Sequence, residues 1–341
     1  MSISQSSNPR VNYYIKNIVA IIISILYATL LSKIPNYVFR DRENYVIYAE
    51  YSFDILKDYK PLSVLFNEPL FLYYNIYLSK FFSPDFIPKI GVFFIAFTLC
   101  YFILKYSVGF LHAVLGISLL LLVSYTFHLQ LVILRQGVAT AILLWLVHFF
   151  WGRKYFYPLC VFLPFFHSSF FIIVSLIFYN NLLSRYINNE KLKISIIGLT
   201  TLLSSFVILK IAENLGVRQA SEEHLLVGDS SGGGFILFSF IFVFIYFRGL
   251  KNVYNNRFGN ISILGLIVYL SFYFSIPISG RIIGTFLPFM YIYIVSSKNK
   301  KIIFAGVVFL IVNAYLFYNS ITNSSLTLEG VRYLNKIFFI G

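Results

Sequence analysis

Leu129–Gln130–Leu131–Val132–Ile133–Leu134–Arg135–Gln136–Gly137–Val138–Ala139 reads as membrane helix apart from one cation. An arginine at membrane depth costs roughly 3 kcal/mol or more. Arg135 therefore needs an anionic or polar partner, a wet cavity, or a helix end from which to snorkel to the interface. The rest of the chain favours a buried anion site over the snorkelling cap.

Composition sets the class. The 341 residues are 59% hydrophobic and only 12% charged, against about 25% charged in soluble domains. Mean hydropathy is +0.79. A polytopic membrane protein of class all-α is expected, as a single domain over 1–341. Aromatics make up 20%, with 39 Phe and 27 Tyr. Lipid-facing Phe and interfacial Tyr account for much of this, and aromatic faces also give sugar rings a surface to stack on. Cys100 and Cys160 both lie in apolar segments, so no disulfide framework is expected. The net charge of +14 is spread through short loops. That is the positive-inside pattern rather than a nucleic-acid footprint. Met1–Asn17 is polar, and no cleavable signal is evident after it.

About eleven spans follow from the rule of ~20 apolar residues per membrane helix. They lie near 18–33, 69–83, 87–104, 107–126, 134–151, 155–179, 194–211, 234–250, 259–277, 281–297 and 301–318. Pro69, Pro158, Pro164, Pro277 and Pro288 mark helices that can kink or break, which is tolerated where a cavity is lined. Arg10 and Lys16 put the N-terminus inside. Alternation then puts Lys80, Lys89, Arg185, Lys191, Lys193, Arg248, Lys251, Arg257, Lys298, Lys300 and Lys301 inside. Segments 34–68 and 212–233 become outer-face loops. Arg153–Lys154 falls outside and the approach to Arg135 inside, which is backwards for both. Either one span is miscounted or the stretch near 123–137 is re-entrant.

Six of the 13 acidic residues lie in 34–68: Asp41, Glu43, Glu50, Asp54, Asp58 and Glu68. Most read as a solvated loop with surface ion pairs of little worth. Asp41, within Arg40–Asp41–Arg42–Glu43–Asn44–Tyr45, and Glu68, before Pro69, stand out by position. A carboxylate at a helix start can serve the dipole; facing a cavity, it can hold a sugar hydroxyl or act as a base. His167 lies in Pro164–Phe165–Phe166–His167–Ser168–Ser169, inside an apolar segment. It reads as a helix–helix hydrogen bond or as a base near neutral pH. His112, His128 and His148 lack this context and read as structural. Arg281, after Pro277–Ile278–Ser279–Gly280, is a second cation at membrane depth.

In order, these elements resemble the EpsG family of polysaccharide polymerases, related to the Wzy O-antigen polymerases. They are an Asp–x–x–x–Tyr-like element (Asp41 to Tyr45), Glu68–Pro69, a box from Leu134 to Ala139, Phe166–His167–Ser168, and a late helix-opening Arg281. No glycine precedes Asp41, where the family form has Gly–x–Asp–Tyr. The resemblance covers about residues 1–300. It implies a GT-C-type membrane glycosyltransferase architecture in a bacterial inner membrane. The glycan would leave undecaprenyl pyrophosphate for a lipid-linked acceptor at the periplasmic or outer face. No nucleotide sugar, essential metal or other cofactor is implied. Membrane lipids and a chain-length regulator protein are possible partners; nucleic acid is not. The chemistry agrees: without a divalent ion, a diphosphate leaving group needs arginines, whose planar fork binds two phosphate oxygens at once.

Arg135 and Arg281 take that role, with Gln136, Arg40 and Tyr45 as further substrate-binding candidates. His167, Glu68 and Asp41 are the catalytic candidates, with His167 favoured as base and Glu68 as the hydroxyl-binding carboxylate. In 212–233, the spacing of Arg218 to Gly234 resembles one in some Wzy polymerases, and Gly232–Gly233–Gly234 reads as a hinge for a closing loop. No Asp–x–Asp, Walker or His–Glu–x–x–His motif occurs. A lipid-linked oligosaccharide flippase or other transporter, and an O-antigen ligase or O-acetyltransferase, stay open as alternatives; the paired halves usual in transporters are not seen.

Overall fold

The computed structural model describes residues 9–214, 232–247, 253, 256–275, 279–324 and 326–338. The secondary structure of the described residues is helical, with no strand and one isolated bridge between Phe39 and Leu326. Four helices are long and apolar enough to cross a membrane: Tyr14–Ser32, Ile87–Tyr106, Ser279–Ser296 and Lys300–Asn323. A fifth candidate is a pair, Phe110–Leu122 and Ser124–Leu131, bent by 73° at its break. The chain is a membrane protein by this composition.

Helix α1 (Pro9–Ser32) shows how sequence sets packing. Ala20, Ser24 and Ala28 are buried, while Ile18, Ile22, Leu26 and Leu30 are exposed. Small residues every fourth position let a neighbouring backbone approach. The neighbour is α4 (Ile87–Tyr106). The centre is formed by α12 (Arg257–Phe272) and α13 (Ser279–Ser296), both almost wholly buried. Gly265 of α12 sits directly on the Phe286 ring, where any side chain would collide.

Segment 34–68 is not a loop. It carries α2 (Arg42–Asp58), and α3 (Pro69–Leu78) follows. Arg42, at the start of α2, is fully buried. Its Nε and Nη2 donate to Asn36 Oδ1 at 3.0 and 2.7 Å, and its Nη1 donates to the Leu131 carbonyl at 3.4 Å. That carbonyl ends α6 (Ser124–Leu131), so Arg42 caps a helix C-terminus, where a cation is favoured.

Contacts between distant residues show which ends lie together. At one end, Asn36 Nδ2 donates to the Asp85 carbonyl at 2.9 Å, and Arg40 Nε donates to the Leu326 carbonyl at 2.8 Å. At the other, Lys16 Nζ donates to the Ser107 carbonyl at 2.7 Å, and Val108 N donates to Val295 O at 3.1 Å. Helix α3 has ten residues, about 15 Å at 1.5 Å per residue. The chain therefore leaves and returns to one end between 34 and 85. The helix in the apolar run 69–83 is too short to cross a bilayer core of about 30 Å alone, and the turn that follows it is tied at Asp85 to Asn36. The expected span 155–179 is instead divided. Helix α8 (Phe156–Cys160) and a 3-10 turn, Leu163–Phe165, lead to His167, and α9 (Phe170–Tyr186) runs back.

Helix α5 (Phe110–Leu122), α6 and α7 (Leu134–Phe150) come in series with breaks at Val123 and Val132–Ile133. The amides of Val132 and Ile133 both reach the His128 carbonyl at 2.8 Å. Gly137 makes the second break possible, because a Cβ there would meet the Leu129 carbonyl and Ile95. Further helices are α10 (Glu190–Asn214), α11 (Gly233–Ile241) with a π-helical turn over Phe242–Phe247, α14 (Lys300–Ser324) and α15 (Leu328–Phe338).

Candidate active site

Glu68 is the N-cap of α3 but does not cap it. Its φ is 61°, the only positive value at a non-glycine residue among those described. A non-glycine residue in that region costs of order 1–3 kcal/mol, and such strain gathers at functional sites. What holds the backbone there is visible in the side chain. Oε2 is ion-paired with Arg135 Nη1. Oε1 lies 2.6 Å from His167 Nδ1 and accepts from the Ser168 amide at 3.2 Å.

The three partners arrive from two helix junctions. Arg135 is the second residue of α7, so its charge faces the positive end of that helix and needs compensation. His167 lies between the 3-10 turn and α9, and Ser168 precedes the α9 N-cap Ser169. The Glu68 carboxylate thus meets one helix N-terminus through Ser168 and neutralises a cation at another. Burial works against its charge, but Arg135, His167 and the Ser168 amide outweigh it and hold the carboxyl at about 2. Glu68 is ionised at any working pH.

Aromatic rings wall the site. The Arg135 guanidinium lies 5.8 Å from the Tyr45 ring centre and 5.2 Å from that of Tyr48, within cation–π range. Tyr45 is buried on α2, one turn after Asp41, and stacks edge-on against Phe71 at 5.8 Å. Exposure tells which group meets a ligand. The Arg135 side chain is 18% exposed, against 5% for Glu68 and 3% for His167. The guanidinium is the open face, with the carboxylate and imidazole behind it. His167 Nε2 has no hydrogen-bond partner among the described residues.

Gln136 points elsewhere. It is buried on α7, and its Nε2 donates to the Arg281 carbonyl and, at 2.7 Å, to Thr285 Oγ1 of α13. Its Oε1 is buried without a partner among the described residues. This bond ties the α13 start, with Arg281, to the residue beside Arg135. The Arg281 side chain is half-buried.

The structure therefore brings together Glu68, His167, Arg135 and Tyr45, and joins Gln136 to the Arg281 backbone. Arg40 and Asp41 are exposed. Arg40 is occupied by Leu326, and Asp41 forms the N-cap position of α2 without a side-chain cap bond. Arg218, with Glu222, Glu223, His224 and Asp229, lies outside the described residues. Gly232 does adopt a left-handed φ of 71°, and a side chain on Gly234 would press on the Tyr269 and Tyr273 hydroxyls at 2.8 and 3.2 Å. Tyr48 and Ser168 belong to the site without having been legible as such. Tyr48 has a weak signal, since it lies one turn after Tyr45 on a helix.

No curated protein and no solved structure matches the chain. The family model for the EpsG family matches residues 18–335, nearly the whole chain. The chain belongs to the EpsG family, a family of Wzy-type polymerase-like membrane proteins.

Proposed function

We propose that this protein polymerises lipid-linked oligosaccharide repeat units of a bacterial O-antigen or exopolysaccharide. The growing glycan passes from undecaprenyl pyrophosphate to a hydroxyl of the acceptor repeat unit. The observation that carries the reading is the Glu68 carboxylate clamped between Arg135 and His167, with the guanidinium on the open side.

The proposed chemistry needs a cation for the leaving group and a base for the nucleophile. Arg135, oriented by Glu68 and the two tyrosines, offers its remaining N–H donors to the donor phosphates, and Arg281 joins it from α13. Glu68 holds the imidazole by Nδ1, which leaves Nε2 to take the acceptor proton. The acceptor oxygen bonds to the anomeric carbon, the bond from that carbon to the phosphate oxygen breaks, and its electrons leave on the pyrophosphate. The proton moves to His167. Glu68 is a positioning group here, because a carboxyl held near 2 is a weak base. Gln136 holds α13 in register, and Tyr45 and Tyr48 stiffen Arg135. Arg40 and Asp41 are proposed as contacts for the sugars at the rim, and Arg218, outside the described residues, as a further substrate-binding residue.

We further propose eleven crossings in a GT-C-type arrangement, with the triad at the periplasmic or outer end. The crossings are α1, α4, the bent pair α5–α6, α7, the broken segment 156–166, α9, α10, α11 with its π turn, α12, α13 and α14. Two observations support an odd number. The bridge from Phe39 to Leu326 joins the far ends of α1 and α14, and Lys16, in the first half of α1, and Lys300, the first residue of α14, lie toward the opposite ends of those helices. Arg153, Lys154, Lys298 and Lys301 then fall inside, as positive charge prefers.

The test is polymer length in cells carrying variants, read as a ladder on a gel. Arg135→Lys keeps the charge but loses the planar fork, and should abolish most polymer while the lipid-linked unit accumulates. Arg281→Ala should do the same. Full-length polymer from both Arg135→Ala and Arg281→Ala would remove the arginines from the reaction.

A further inference from the structure

The end opposite the triad holds a second cluster of charge. Lys105 lies in the last turn of α4, His148 in the last turn of α7, and Arg257 begins α12. Lys105 Nζ donates to Tyr101 Oη at 3.0 Å and faces His148 Nε2 at 3.2 Å. Arg257 donates to the carbonyls of Val147 at 3.2 Å and His148 at 2.6 Å, and to Tyr106 Oη. Its Nη2 also faces His148 Nδ1 at 3.2 Å. Tyr106 Oη lies 2.6 Å from that same nitrogen.

Donors outnumber acceptors here. Lysine and arginine only donate, and a neutral imidazole has one accepting nitrogen. With a cation against each ring nitrogen, one of them meets an N–H. Charge is also unbalanced. Among the described residues, no carboxylate lies within ion-pair distance of Lys105, His148 or Arg257. Glu190, on the helix that follows α9, is paired with Lys193 at 2.8 Å. The three basic side chains are half-buried, so each keeps a face open. Lys16, joined to Ser107 two residues beyond Lys105, adds a further positive charge to the rim.

We propose that Lys105, His148 and Arg257 form a binding site for a phosphate-bearing anion, separate from the glycosyl-transfer site. A phosphate supplies several acceptor oxygens and the missing negative charge together. Basic pockets between membrane helices hold acidic lipid headgroups on this chemistry. A lipid headgroup or a free phosphate would satisfy it equally. The site stands on its own contacts, whatever reaction occurs at the far end.

The experiment uses the purified full-length protein in phosphatidylcholine vesicles, alone, with phosphatidylglycerol added, or with inorganic phosphate added. The readout is the thermal unfolding midpoint. Wild type should gain stability with at least one of the two additions. A response to phosphatidylglycerol alone assigns a lipid headgroup; a response to both assigns the phosphate group itself. Lys105→Gln should weaken the apparent affinity about fivefold, the effect of one lysine near an anionic headgroup. Lys105→Glu supplies an internal counter-charge. It should raise the midpoint in phosphatidylcholine above that of Lys105→Gln and flatten the anion response. Arg257 is left intact because it also caps α7. A wild type indifferent to both additions would overturn the proposal. So would a full anion response in both Lys105 variants, or a lower midpoint for Lys105→Glu than for Lys105→Gln.

Discussion

Replacing Glu68 by glutamine keeps the shape of the side chain and removes the charge that Arg135 and His167 share. The Glu68 side chain is 5% exposed, and the guanidinium it neutralises sits at the positive end of α7. Removing one member of a buried ion pair costs about 3–5 kcal/mol, because the other charge is left uncompensated. Arg135 keeps some exposure, so the lower figure applies, about 3 kcal/mol. Unfolding entropy of about 2.1 cal/mol/K per residue makes that a fall of about 4 °C in the midpoint for a chain of 341 residues. Arg135→Gln should cost a similar amount. The double variant should cost much less than the sum, with a coupling of about 2 kcal/mol, since no charge is then stranded. Thermal unfolding in one vesicle composition measures all three. Singles within about 0.5 kcal/mol of wild type, the ordinary range for surface changes, would refute the buried pair. Additive singles would refute the coupling.

Three further outcomes follow from the same geometry. Gly137→Ala drives a Cβ into the Leu129 carbonyl and Ile95, so it should cost about 1–3 kcal/mol and displace Arg135, seen as a lower midpoint and shorter polymer. Glu68 is held at about 2 against an ordinary 4.5, so the unfolded chain binds the extra proton first. Its contribution, about 3 kcal/mol, is complete above pH 4.5 and is lost as pH falls from there toward 2, a slope that Glu68→Gln should flatten in pH-dependent unfolding. Cysteines placed at Glu43 and Lys80 should label from one side of the membrane and a cysteine at Arg153 from the other; labelling of Lys80 with Arg153 would restore a crossing over 69–83.

Much of the site was legible because its residues are misfits where they stand. Arg135 and His167 interrupt apolar runs, and Glu68 precedes a proline at a helix start. Their contact was not legible. Glu68 lies 67 residues from Arg135 and 99 from His167, and hydropathy carries no information about pairing. No acidic residue lies between Asp85 and Glu190 in the sequence, and the fold supplies Arg135 with Glu68. The run 69–83 failed as a span because apolar composition does not reveal length of helix. Ser79–Phe86 turns the chain back after α3, and Asn36 fastens Asp85 to the starting end. The segment 155–179 failed in the opposite sense. Pro164 and the turn before Ser169 split one apolar stretch into two short helical pieces, placing His167 at the bend. Arg42 resembled a solvated loop residue among Arg40, Asp41 and Glu43, yet it is buried on neutral acceptors. His148 was read as structural, and its role depends on Lys105 and Arg257, which only the tertiary fold brings to it.

The account stands most directly on whether Glu68 and His167 act as one unit in glycosyl transfer. The measurement is the rate of polymer formation for His167→Gln, Glu68→Gln and the double variant, each corrected for the amount of folded protein. Groups that share one step are non-additive. The double variant should therefore be no slower than the poorer single, with both singles losing at least about a hundredfold, the lower range for a general base. Polymer of normal length made at the normal rate by His167→Gln would contradict the account and leave the Glu68 clamp as a structural joint.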